Sequence, residues 1–119
     1  MRTSIVRNKS KDFALRIIYL YEYLKEQKRE YVISKQILRS GTSIGANLAE
    51  QEFAISDADY LNKTSIALKE AAETDYWLEL LYRAQYLTAI EYDNIHTDCN
   101  EIIKMLAKTV KTTKEKLNR

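Results

Sequence analysis

The chain has 119 residues, enough for one domain with a single hydrophobic core. Apolar residues make up 45% and charged residues 30%, as in ordinary globular proteins, and the single cysteine, Cys99, excludes an intrachain disulfide. No stretch approaches the roughly 20 apolar residues that cross a bilayer, and the N-terminus has no apolar signal segment, so we expect a reduced, cytoplasmic protein.

The scarcity of helix breakers predicts an all-α fold. Proline is absent and glycine occurs only twice, which favours long helices joined by short turns. Apolar spacing predicts helix 1 from about Ser10 to 28, helix 2 from an N-cap at Ser34 to about 54, helix 3 from Ser56 to about 85, and helix 4 from Thr88 to about 117. These four helices predict an antiparallel up-and-down bundle, with residues 1–119 as one domain.

Helix 2 contains an unusual group of small residues. Gly41 and Gly45 lie inside it, and each internal glycine costs about 1 kcal/mol relative to alanine. Small residues allow another helix to come close. Two interpretations remain open: a tight crossing inside the bundle, or a subunit interface on the same face. A phosphate-binding loop is disfavoured, since no strand precedes the glycines and no Gly-Lys-Ser/Thr follows them.

Few side chains offer catalytic or metal-binding chemistry. A di-iron site would need two Glu-x-x-His motifs, and the chain has one histidine, His96, which we expect to be exposed and without a metal. Cys99 falls on the apolar stripe of helix 4 and is expected in the core. Asn47 and Glu73 are candidates for a polar network between helices 2 and 3, in preference to an acid and base pair. We therefore expect no enzymatic activity and no cofactor.

The two ends of the chain are basic. Residues 1–16 and 104–119 carry an excess of lysine and arginine, whereas the residues between them are acidic. The start of helix 1 and the end of helix 4 share one end of an up-and-down bundle, so the two segments converge. Solubility, phosphate binding, and binding of a membrane or acidic protein surface all remain open. The candidate nucleic-acid-binding residues are Arg2, Arg7, Lys9, Lys11, Lys108, Lys111 and Lys114.

Two segments together carry a recognisable pattern. Residues 36–50 read Gln-Ile-x-Arg followed by Ser-Ile-x-x-Asn-x-x-Glu, and Glu73-Thr74 follows on helix 3. Over essentially the whole chain the sequence resembles the bacterial four-helix-bundle family, also called the 23S rRNA intervening-sequence or S23 family. Gly45 and Gln51 depart from the family pattern and suggest a subgroup. The resemblance and the small face together give candidate structural or interface residues: Gln36, Arg39, Gly41, Ser43, Gly45, Asn47, Glu50 and Glu73.

The resemblance implies an up-and-down bundle that assembles as a homopentameric barrel without known enzymatic activity. Some members are encoded within insertions in rRNA genes, and a similar protein accompanies a retroelement reverse transcriptase. We therefore expect a ring-shaped homo-oligomer, with RNA or DNA and no membrane as its partner. The alternative is a protein–protein interaction scaffold, or an accessory subunit of a nucleic-acid enzyme such as a retroelement reverse transcriptase.

Overall fold

A computed structural model describes the backbone of residues 2–118 and the side chains of residues 5–118. It contains the helices α1 (Arg2–Glu26), α2 (Ile33–Gln51), α3 (Asp57–Arg83) and α4 (Ala89–Leu117). They form an elongated antiparallel bundle of 50 × 22 × 22 Å, in which α1 lies diagonal to α3 and α2 diagonal to α4. The predicted all-α, four-helix fold is confirmed. Within residues 2–118, none of the helices combines the length and the apolar character needed to cross a membrane.

The predicted start of α1 at Ser10 is wrong, because the helix begins at Arg2. Val6 and Ser10 are both buried and continue the four-and-three spacing of Phe13 and Ile17 toward the N-terminus. The Ser10 hydroxyl donates a hydrogen bond to the Arg7 carbonyl oxygen at 2.8 Å, and so it does not cap the helix. Ser10 is therefore a small core residue inside the apolar stripe and not a helix boundary.

The start of α2 is capped by a carboxylate and not by the predicted Ser34. Buried Glu30 accepts hydrogen bonds from the backbone N–H groups of Val32, Ile33 and Ser34 at 3.2, 3.1 and 2.7 Å. Three of the N–H groups that a helix start leaves without partners are thus satisfied by one side chain. Ser34 lies inside α2 with its hydroxyl oxygen buried and without a hydrogen-bond partner among the described residues.

The starts of α3 and α4 follow the sequence prediction. The Ser56 hydroxyl accepts from the Asp59 N–H at 3.0 Å. Thr88 and Glu91 form a reciprocal capping box: the Thr88 hydroxyl accepts from the Glu91 N–H at 3.2 Å, and the Glu91 carboxylate accepts from the Thr88 N–H at 2.8 Å. These short polar motifs are local, so the sequence alone identifies them.

Gly41 lies where α1 and α2 pack closely together. A Cβ atom at position 41 would lie 2.8 Å from both γ-carbons of Ile17, which is fully buried. At Gly45 the nearest atom to such a Cβ would be the Ser10 hydroxyl oxygen, at 3.4 Å, an ordinary contact distance. Of the two interpretations of the small face, the structure shows the crossing inside the bundle at Gly41.

We predict opposite effects for Gly41→Ala and Gly45→Ala. The Ile17 side chain is stiff because it is branched at Cβ, so the added methyl group at position 41 should lower the free energy of unfolding by about 1–3 kcal/mol. At position 45 the gain in helix propensity, about 1 kcal/mol, should leave stability unchanged or raised. Urea denaturation followed by circular dichroism measures both. Equal stability of the two variants would contradict the close crossing.

A second pair of variants tests the cap of α2. Glu30→Ala removes the acceptor of three N–H groups and should destabilise the protein by about 1–2 kcal/mol. Ser34→Ala removes a buried hydroxyl that has no hydrogen-bond partner among the described residues, so the free energy of unfolding should stay the same or rise. If Ser34→Ala were the more destabilising change in thermal denaturation, the predicted serine cap would be correct after all.

Candidate functional site

The start of α1 and the end of α4 lie at the same end of the bundle, as the topology predicts. Val6 of α1 lines one cavity together with Met105 and Thr109 of α4. The basic segments of the two helices are therefore neighbours, and each candidate residue can be examined in this setting. The side chain of Arg2 lies outside the described side chains.

Arg7 is tied into the bundle by a chain of hydrogen bonds. Its Nη2 donates to Gln51 Oε1 at 3.0 Å, and the buried Gln51 amide donates to the Thr64 hydroxyl at 2.5 Å. The Thr64 hydroxyl in turn donates to the Tyr60 carbonyl oxygen at 2.7 Å. This chain links α1, α2 and α3, so a large part of the Arg7 side chain is committed to the fold.

Lys9 and Arg16 bridge α1 to α4. Lys9 Nζ lies 2.9 Å from Glu101 Oε2, and this hydrogen bond and ion pair raise the pKa of the lysine. Arg16 donates to Asp98 at 2.5 Å and to Asn94 at 2.6 Å. Both pairs are about half exposed, a setting in which ion pairs contribute about 0–1 kcal/mol each. The positive charge of Lys9 is nevertheless shared with a carboxylate.

The remaining candidate lysines are free of such partners. Their side chains are exposed, and none forms an ion pair with another residue in the described part of the chain. They are Lys11, Lys108, Lys111 and Lys114. Lys104 has the same properties and lies one helical turn before Lys108 on α4. Lys104 belongs to the basic segment 104–119 but is not among the residues predicted to bind nucleic acid.

Acidic residues share this end of the bundle. The junction between α2 and α3 carries Glu50, Glu52, Asp57 and Asp59. Asp57 lies 3.7 Å from the ammonium group of Lys116. The charge predicted for this end came from residues 1–16 and 104–119 and did not include the α2–α3 turn. The end is therefore divided into a basic side on α1 and α4 and an acidic side at the α2–α3 turn.

The polar residues of the family pattern lie along the side of α2 that faces α3. The Arg39 guanidinium pairs with Glu70 at 3.2 Å and also with Glu73. Glu73 accepts a further hydrogen bond from Trp77 Nε1 at 2.9 Å. This cluster joins α2 and α3 near their solvent-facing edge. The Glu73 carboxylate therefore pairs with Arg39 and Trp77 without being deeply buried.

The expected contact between Asn47 and Glu73 is wrong. The Asn47 amide donates to the Ser43 carbonyl oxygen of its own helix, at 2.8 Å. Glu73 pairs with Arg39 instead, because the register of α2 against α3 places residue 39, and not residue 47, opposite residue 73. Spacing within one helix cannot supply the register between two helices.

His96 is not the exposed side chain that the sequence suggests. It is half-buried, and its Nδ1 lies 2.6 Å from Asp75 Oδ1 on α3. Its ring stacks on Tyr92, with centroids 5.0 Å apart, and Tyr92 stacks on Tyr82 at 4.7 Å. In the part of the chain that the structure describes, no group of three or more His, Cys, Asp and Glu side chains is placed to hold a metal ion.

Cys99 lies in the core, as predicted. Its side chain is fully buried, and the thiol donates a weak hydrogen bond to the Ala71 carbonyl oxygen at 3.4 Å. Burial raises the pKa of this thiol to about 12, with the negative charge of Asp75 acting in the same direction. A nucleophilic cysteine needs the opposite shift and access to solvent. The described residues thus bring together no evident nucleophile and base.

The chain is similar to known proteins in sequence and in fold. The family model described as "23S rRNA-intervening sequence protein" matches residues 2–108. The chain belongs to this family. It is also 54% identical to a crystallised protein of unknown function from the S23 ribosomal protein family of Bacteroides thetaiotaomicron. That similarity covers 93% of this chain and 99% of the other, with a TM-score of 0.92. No curated protein shows significant similarity to the chain.

Membership of the family confirms the resemblance found in the sequence, and the crystallised relative extends it to nearly the full length of the chain. The relative has no known function either, so neither comparison assigns a reaction or a partner.

The burial of Cys99 makes a direct prediction about its reactivity. Because the thiol pKa is about 12, its thiolate fraction at pH 8 is about one in ten thousand. A soluble thiol reagent should therefore modify the folded protein at least about 100-fold more slowly than the protein in urea, and the rate should rise with pH. Absorbance of the released reagent follows the reaction. Rapid labelling of the folded protein would reopen the question of a nucleophilic cysteine.

Proposed function

We propose that this protein is a non-enzymatic, cytoplasmic homo-oligomer that binds nucleic acid through lysines on the C-terminal half of α4. The observation that carries the proposal is the row Lys104, Lys108 and Lys111. These side chains are exposed, follow one another at a spacing of four and three residues, and lack ion pairs among the described residues. A row of free ammonium groups on one side of a rigid helix is suited to successive phosphates.

The helix dipole does not account for these lysines. Positive charge is stabilising near the C-terminus of a helix, but the effect falls off within the last turn. Lys114 and Lys116 lie in the last turn of α4, which ends at Leu117. Lys108 and Lys104 lie nine and thirteen residues before that end, more than two helical turns, where the dipole gives them little stabilisation. Phosphate binding supplies a reason for their position.

The non-enzymatic part of the proposal is supported by the two residues best suited to chemistry. Cys99 is buried with a raised thiol pKa, and His96, whose Nδ1 pairs with Asp75, lies outside the described cavities. Catalysis by general acid and base or by a nucleophile needs several such groups converging on one accessible cavity. The described cavities contain neither of these side chains.

Assembly strengthens weak phosphate contacts. The family resemblance implies five subunits in a ring, and each subunit would then present its own row of lysines. Linking several weak sites raises the apparent affinity by about 10²–10⁴-fold without any new contact. The family description names 23S rRNA, which makes RNA the first probe to examine.

The proposal predicts salt-dependent binding that depends on the α4 lysines. Labelled RNA and DNA should bind at about 50 mM salt, and affinity should fall by about 10³-fold by about 200 mM if six phosphates are contacted. Replacing Lys104 and Lys111 together with glutamine should weaken binding and lower the salt slope by about 1 for each lost contact. Fluorescence anisotropy measures both.

The matched control removes the same charge elsewhere. Lys25→Gln with Lys28→Gln lies toward the opposite end of the bundle and should leave binding unchanged. If neither RNA nor DNA binds at low salt, the nucleic-acid function is wrong, and the alternative of a protein-binding scaffold or accessory subunit takes its place. If both double variants lose affinity equally, binding follows net charge and not the α4 row.

A further inference from the structure

The contact between α1 and α4, here called the α1/α4 seam, is the loosest side of the bundle. In place of interdigitated apolar side chains, its middle is bridged by polar pairs: Lys9 with Glu101, and Arg16 with Asp98 and Asn94. A small cavity of about 120 Å³ lies beneath these pairs, with buried Phe13 among its lining residues. This side of the core is only partly closed by the chain itself.

A larger apolar cavity opens at each end of the seam. The upper one, about 470 Å³, is lined chiefly by Tyr19, Leu20, Tyr23, Leu87, Ile90 and Ile95. The lower one, about 440 Å³, lies toward the α4 C-terminus and is lined chiefly by Val6, Tyr60, Met105, Thr109 and Thr113. Tyr19 and Ile90 at the upper rim are 66% and 83% exposed. An exposed apolar surface of this kind is available for contact with another molecule.

A second surface of the same chain ends in an exposed aromatic residue. The outward side of α2 and the turn that follows it carry Lys35, Arg39, Thr42, Ala46, Ala49 and Phe53, at steps of four and three residues. The middle of this row, here called the α2 row, has small side chains that allow a second helix to come close. At its lower end Phe53 is 79% exposed, although phenylalanine strongly favours burial.

The charges of the two surfaces are complementary in one direction only. The first half of α4 carries four carboxylates without a lysine or arginine, and the second half carries five lysines with one glutamate. Asp98 and Glu101 are paired with Arg16 and Lys9 in the seam, which leaves Glu91 and Asp93 without an ion pair among the described residues. Along α2 the order is reversed, with Lys35 near its start and Glu52 at its end, whereas Arg39 and Glu50 are already paired with residues of α3. Opposite charges therefore meet only if α2 of one copy runs in the same direction as α4 of the next.

This direction determines the symmetry of the contact. Two copies whose α2 and α4 run parallel have their long axes pointing the same way. Because α2 and α4 occupy opposite corners of the bundle, each copy presents one surface to each of two neighbours. Such head-to-tail contacts continue from copy to copy until a ring closes.

We propose that the α2 row of one copy docks in the α1/α4 seam of a second copy, with Phe53 entering the lower apolar cavity. The proposal rests on the homo-oligomer proposed above and names the two surfaces that build it. Docking covers the exposed phenylalanine, fills the partly closed side of the core, and pairs the two charge gradients. The occupant of the seam is thus a second copy of this chain.

The first test compares two exposed apolar residues of the same turn. Phe53→Asp should convert the oligomer to a 14.0 kDa monomer in light scattering at micromolar concentration. Ile55→Asp is the matched control, because Ile55 is even more exposed, at 93%, and lies outside the α2 row. The control should keep the mass of the unchanged protein. Circular dichroism checks that both variants remain helical, as expected for substitutions at exposed positions.

The second test is a cross-link between the two surfaces. Phe53→Cys combined with Thr112→Cys, which lines the lower cavity, should give a ladder of covalent multimers on mild oxidation. Buried Cys99 contributes little background. The control pair, Phe53→Cys with Lys69→Cys, should give no covalent multimer larger than a dimer.

The outcomes separate the two proposals. If the unchanged protein is a monomer, both the homo-oligomer and this interface are wrong. If the unchanged protein is an oligomer, three results would each show that only this interface is wrong. Phe53→Asp does not dissociate the oligomer, both aspartate variants dissociate it, or Phe53→Cys with Thr112→Cys gives no ladder. Dissociation by Phe53→Asp alone together with the ladder supports it.

Discussion

The close contact of Gly41 with Ile17 determines how the bundle closes. Because no side chain separates α2 from α1 at this point, the two helices approach until backbone meets the branched side chain. The α2–α3 and α3–α4 pairs are also closely packed, and the buried stripes of all four helices meet in a single core. The remaining side, between α1 and α4, closes through polar bridges over Phe13 and Ile102. The bundle is therefore closely packed between α1 and α2 and more open between α1 and α4. These two sides offer different surfaces to other molecules.

Sequence periodicity was sufficient for the fold because each helix has a continuous apolar stripe and nearly every junction has a local polar signal. It failed where a residue type had two possible roles. Ser10 and Ser34 have the chemistry of helix caps, yet both are small buried residues inside their helices, while the cap of α2 comes from Glu30. A glutamate placed before a helix is not a common capping signal, so sequence rules for caps do not identify it.

The polar contacts between helices were less predictable than the core. Asp75 with His96, and Arg39 with Glu73, each join side chains from two helices whose relative register depends on how the whole core packs. The same limitation affected the basic end. Its two terminal segments were correctly placed together, but Gln51 and Glu101, which engage Arg7 and Lys9, belong to parts of the chain that a count of terminal charges leaves out.

These partners change the basis of the functional argument. Basic residues at the start of α1 oppose its dipole, but Arg7 and Lys9 have partners within the chain, so their presence no longer needs an external phosphate. The proposed binding of nucleic acid depends on the α4 lysines instead, and these lysines also link the two proposals.

Lys108 lines the lower cavity of the seam, whereas Lys111 and Lys114 do not. In the proposed assembly Glu52 of one copy lies toward Lys108 of the next, while Glu50 keeps its partner Lys63 in its own chain. The Glu52 carboxylate is then paired inside the contact, while Lys111 and Lys114 stay outside it. Assembly would thereby separate the mixed charges of this end into a neutralised interface and a repeated basic surface, and oligomerisation would contribute to nucleic-acid binding through charge as well as through avidity.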